Sequence, residues 1–152
     1  RTWAPPERRS PTTSENPMHR ALLPPGWPRP KGYANGAAVH LPGGGHQIFV
    51  AGMIGWDAEG RFAGDTMADQ ARQALMNIVE VLAEGGATPA HIARMTWYVT
   101  DKKAYLAAAR EIGAAYRELI GNYDVAMTAV EVSALIEDQA LVEIEVTAVI
   151  PD

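Results

Sequence analysis

Two stretches near the C-terminus decide the fold: AMTAVEV (126–132) and LVEIEVTAVI (141–150). Both alternate at period two, the pattern of a strand with one buried face. In the second, Val142, Ile144, Val146, Ala148 and Ile150 form one face without a polar break. Leu141, Glu143, Glu145, Thr147 and Val149 form the other, half apolar. The alternation is read as placing Met127, Glu131, Glu143 and Glu145 on one shared face, with Glu131 and Glu143 on neighbouring strands. A carboxylate held against apolar surface has a raised pKa and can act as a general acid. On pattern alone, solvated strand residues are the better reading of both.

Moving upstream, the spacing of Ala71, Ala74, Leu75, Ile78, Val81 and Leu82 predicts an amphipathic helix over 67–84. Thr66 and Asp69 suit its N-terminus as a capping box, and Gly85-Gly86 suits its end. HIARMTWYVT predicts a strand over 92–100, with Met95, Trp97 and Val99 on one side. Asp101 caps a predicted helix over 102–120, whose stripe runs from Tyr105 through Ile112 and Ala115 to Leu119 before Gly121. AAVHL and HQIFVAG flank PGGG and predict a hairpin of strands 37–41 and 46–52. Residues 53–65 form a loop with a turn at DAEG. The order β-β-α-β-α-β-β predicts an α+β domain over 32–152, one mixed sheet with both helices on one face. The other sheet face then lacks cover, which points to self-association.

The first 31 residues differ in kind. They hold eight of the eleven prolines and a net charge of +4, whereas residues 32–152 carry −9. Proline fixes φ and removes a donor, so this basic tail builds little regular structure. Residues 1–17 read as a disordered extension ahead of a natural start at Met18, and 21–33 as an extended surface segment anchored by Leu22, Leu23 and Trp27. The acidic remainder lacks the basic footprint that nucleic-acid binding needs. No apolar run reaches the ~20 residues of a membrane span. The absence of cysteine excludes disulfides and thiolate metal sites, and suits a cytoplasmic setting.

Motif chemistry is sparse. His19, His40, His46 and His91 show no metal-ligand spacing, although His40 and His46 straddle the hairpin and can approach each other. No nucleophile elbow, Walker loop or dinucleotide fingerprint is present. Neither a metal nor an organic cofactor is expected. Trp56 and Trp97 read as core or interface residues rather than pocket lining.

In combination, FVAGMIGWD (49–57), QARQALMNIVEVLAEGGATPAHIARMTWYVTD (70–101), TAVEVSAL (128–135) and VEIEVTAVI (142–150) resemble the RidA/YjgF family, also called L-PSP. The resemblance covers about 115 residues from Tyr33 onward, in order. It implies a chorismate-mutase-like fold, a cytoplasmic homotrimer with a central barrel, and small-molecule clefts between subunits. It also implies hydrolysis of enamine or imine intermediates without a cofactor. Carried over residue by residue, it makes Glu143 the catalytic glutamate that positions or activates water. Tyr33, Ala51, Gly52, Met127 and Ala129 become cleft residues. The chain departs from the family pattern in three places. The family's SGQ reads Ala51-Gly52-Met53, Ala109 stands where an asparagine is common, and P-A-R-[ST] reads Val125-Ala126-Met127-Thr128. Met127 therefore replaces the arginine that grips a substrate carboxylate. Methionine offers no donor for that bidentate contact, so a neutral, apolar or cationic ligand is expected. Arg61, Arg94 and Arg110 are the candidates to replace the lost cation. A non-catalytic ligand-binding trimer is the alternative function, and an endoribonuclease or translation inhibitor a less supported one.

Overall fold

The computed structural model describes residues 19–122 and 124–152, so the reading of 1–17 falls outside it. Strands β1 (His19–Leu22), β2 (Gly36–His40), β3 (His46–Ile54), β4 (Ile92–Val99), β5 (Ala126–Glu131) and β6 (Val142–Ile150) form one sheet. Their order is β1-β2-β3-β6-β4-β5. All neighbours are antiparallel except β4 and β5, which run parallel. Helices α1 (Met67–Glu84), α2 (Lys102–Ala107) and α3 (Ala109–Leu119) complete the fold. The α+β class and the helix-covered face agree with expectation.

The local signals act as their chemistry dictates. Thr66 accepts the N–H of Asp69, and Asp101 accepts those of Lys103 and Ala104, so both helix starts are capped. Gly86 adopts φ +79° just past α1, the left-handed conformation that lets the chain leave the helix. The buried stripe of α1 packs on β3 and β6. Beneath it Ile48, Met95, Val142 and Ile144 are wholly buried, with Trp97 almost so and 6.0 Å from the Tyr105 ring. Removing such a buried aromatic costs about 3–5 kcal/mol.

Three details differ from the sequence reading. First, a sixth strand exists, because His19–Leu22 pairs with β2 and drives Leu22 into the core. Four residues ahead of a proline pair are too short to show a period. Second, the predicted helix over 102–120 is interrupted at Ala108, which leaves helical geometry at φ −90°, ψ 5°. Both pieces share one apolar stripe, so periodicity does not detect the break.

Third, Met127 and Glu131 do not share a face with Glu143 and Glu145. β4 lies between β5 and β6. On one side Met95, Trp97 and Val99 pair with Met127, Ala129 and Glu131. On the other, Thr96 and Tyr98 pair with Glu145 and Glu143. Residues paired in register project to the same side. Met127, Ala129 and Glu131 therefore lie on the helix side of the edge strand, and Glu143 and Glu145 on the open face. Alternation separates the two faces of one strand but does not say which faces of two strands coincide.

Candidate functional site

The site is built around an irregularity in β3. In its register with β6, Val50 pairs with Val146 and Met53 with Ile144, which leaves one extra residue at Ala51-Gly52. Such a bulge re-aims the backbone, and bulges are frequent beside active sites. Ala51 donates its N–H to the Asn35 carbonyl at 2.8 Å, outside the sheet ladder. A Cβ on Gly52 would lie 2.6 Å from Glu143 Oε1, so only glycine lets this carboxyl lie against the bulge. Glu143 is half-buried, and burial, with a smaller contribution from Glu145, pushes its carboxyl above the ordinary value. Among the described residues no ion pair holds it. Beside it Tyr98 donates its hydroxyl to Glu145 at 2.6 Å; that hydrogen bond, followed by burial, raises the Tyr98 pKa.

Glu143 lines a cavity of about 910 Å³, within the size range of small-molecule sites. Tyr33, Ala51 and Gly52 line it too, so the structure unites four of the six predicted site residues. Met127 and Ala129 are not among its lining; they lie two strands away on β5. Within one chain they do not meet Glu143.

Sequence reasoning missed much of the wall. Trp27 to Lys31 form one side, held by a 2.8 Å hydrogen bond from Trp27 Nε1 to Glu80. Trp56 and the turn Asp57–Gly60 form another, so Trp56 is a lining residue here, 5.7 Å from Phe62, while Trp97 is core as expected. Ile136 and Glu137 close the rim from the β5–β6 loop. Two buried amides on α1 hold these pieces in place. Asn77 donates to the carbonyls of Ile54 and Trp56 at 3.1 and 2.8 Å. Gln70 donates to those of Gly64 and Gln139 and accepts the N–H of Leu141, two residues before Glu143. A polar residue within the apolar stripe of a helix was the available signal, because a buried amide must find partners.

None of the three arginines considered as replacements lines this cavity. Arg61 is tied to Asp57 and Glu59 at 3.3 and 3.4 Å. Arg94 lies on the open sheet face, in a separate hollow of about 380 Å³ with Phe49, Thr96 and Glu145. Arg110 is an exposed residue of α3. That open face also exposes Val130 and Val149, the uncovered surface anticipated from the strand pattern. The His40 and His46 rings meet edge to face at 5.6 Å, and burial followed by His40 lowers the His46 pKa. Among the described residues, no cluster of three His, Cys, Asp or Glu is placed to hold a metal, and no helix is long and apolar enough to cross a membrane.

Residues 31–150 match the family model described as Endoribonuclease L-PSP. A RutC family protein of Pyrococcus abyssi is 33% identical over 105 residues, covering 68% of this chain and 79% of the relative. A YjgF/YER057c/UK114 family protein of Mycobacterium tuberculosis superposes with a TM-score of 0.62 at 33% identity, over 79% of this chain and 88% of that one. TdcF of Escherichia coli, solved with bound serine, superposes at 0.71 with 25% identity, over 86% and 98% of the two chains.

Proposed function

The chain belongs to the RidA/YjgF (L-PSP) family, and from that premise we propose that it is a small-molecule hydrolase acting on an enamine or imine that lacks a carboxylate beside the reacting carbon. The observation that carries this reading is Glu143, half-buried against the Gly52 bulge in a large cavity, without a cation paired to it. A carboxyl raised by burial holds its proton more readily than a solvated one and is better suited to act as a general acid. Glu143 protonates the imine nitrogen, and the resulting carboxylate takes a proton from the attacking water. The water oxygen bonds to carbon as the C=N electron pair moves to nitrogen. Glu143 then protonates the amine nitrogen, the C–N bond breaks to release ammonia, and the hydroxyl proton returns to the Glu143 carboxylate, which leaves the carbonyl product.

The same geometry disfavours a substrate with an α-carboxylate. Once Glu143 has given up its proton, such a group about 4 Å away meets a repulsion of about 4 kcal/mol at an effective dielectric near 20. Met127 offers no cation to offset it. We further propose a homotrimer, in which β5 of one copy brings Met127 and Ala129 to the Glu143 cavity of the next. Their place on an exposed edge strand, away from the cavity of their own chain, supports this arrangement.

The test is ammonia release from a neutral alkyl imine and from the imine of serine, each with the native protein and with Glu143→Gln. The expected result is faster turnover of the neutral imine, lost in the variant. Turnover of the serine imine at the rate of an arginine-containing relative would refute the assignment of Met127. Binding of carbonyl products without turnover would favour a ligand-binding trimer.

A further inference from the structure

We infer that the cavity takes an elongated ligand, with its nitrogen-bearing carbon at Glu143 and a distal anionic group held by Arg29 and Lys31. This deepens the proposed function and rests on it, because it uses the same cavity. The first support is size. About 910 Å³ lies near the upper end of the ~300–1,000 Å³ range of small-molecule sites, before β5 of a second copy takes up part of it.

The second support is the distribution of charge. Four carboxylates line the cavity, but two are already engaged: Arg61 binds Asp57 and Glu59, and Asp57 also accepts the backbone N–H groups of Glu59 and Arg61. Arg29 and Lys31 line the same cavity, and among the described residues neither side chain makes a hydrogen bond or ion pair. They lie on the wall formed by Trp27 to Lys31, whereas Glu143 lies on β6 against the Gly52 bulge. The cavity therefore carries Glu143 on the sheet, Glu137 at the rim and two unpaired cations on the WPRPK wall.

The third support is rigidity. Arg29 and Lys31 alternate with Pro28 and Pro30 in WPRPK, so φ is fixed at every second residue of this wall. Trp27 pins the wall to α1 through Glu80. Cations on such a segment lose little backbone entropy when they bind an anion. The repulsion that excludes an α-carboxylate falls with distance, so an anion at the far end escapes it.

Calorimetry with two nearly isosteric product analogues tests this. In 5-oxopentanoate the distal group is a carboxylate, and in 5-oxopentanamide it is neutral. The full chain should bind the carboxylate at least about tenfold more tightly, as charge-assisted hydrogen bonds allow. Added salt should shrink that preference, and Arg29→Met with Lys31→Met should abolish it. Thermal melting of the double variant checks that it is folded. Equal affinity for the two compounds, or a preference that survives in the double variant, overturns the inference. If equal affinity comes with imine turnover that depends on Glu143, the proposed function stands and only the anion clamp fails. If neither compound binds, both readings fail.

Discussion

The two faces of the sheet are made from the same alternating strands and do opposite work. The helix side buries Trp97, Met95, Ile144 and Val142 under α1 and supplies the core. The open side keeps Glu143, Glu145, Tyr98 and Arg94 at or near solvent, together with the apolar Phe49 and Val149. The helix side is covered within a single chain except along the edge strand β5. The other is half apolar and half charged, and nothing in a single chain covers it. Stability and chemistry are thus separated by side-chain parity, and a change on one face should leave the other nearly untouched.

The sharpest way to break that separation is Trp97→Ala. It should cost about 3–5 kcal/mol in urea unfolding, as for other buried aromatics. A cost under ~1 kcal/mol would show that the helix face is not the core. Next comes Glu143→Gln, which should lower imine turnover by about 100-fold or more, the scale of general acid–base catalysis, with no loss of stability. Turnover that persists would move the chemistry off the open face.

Covering of the open face is tested by Phe49→Lys. Native protein should scatter as about three times the 16.4 kDa chain, and the variant as a single chain. A native monomer would remove the shared cleft. Met127→Arg should raise pyruvate affinity by about tenfold through a bidentate contact. Because Met127 lies outside the Glu143 cavity of its own chain, the gain should vanish when Phe49→Lys is added. A gain in the monomer would contradict the placement of β5.

The smallest effect concerns pH. The folded-state pKa of Glu143 lies above its ordinary value of 4.5, so the native state binds this proton more tightly than the unfolded chain. The protonated form is favoured on folding, and stability falls as pH rises from 4.5 through the folded pKa. Glu143→Gln should remove that decline, so its melting temperature should exceed that of the native protein by a margin that opens above pH 4.5. A margin independent of pH would mean that Glu143 is fully solvated.

By itself the sequence determined most of the elements and the caps, since those depend on local chemistry: Thr66 and Asp101 as N-caps, Gly86 beyond α1, the apolar parity of β6. It also identified Tyr33, Ala51, Gly52 and Glu143 as companions, through the family pattern they share. Tertiary structure decided what depends on distant pairing. β4 inserts between β5 and β6 and turns Met127 away from Glu143. One extra residue at Ala51-Gly52 admits the Glu143 carboxyl. Trp27 to Lys31, 112 or more positions from Glu143 in the chain, become a wall of its cavity. The physical reason is the same in each case. Period and capping are properties of a few adjacent residues, whereas register, bulges and cavity walls arise when segments far apart in sequence bury surface against one another.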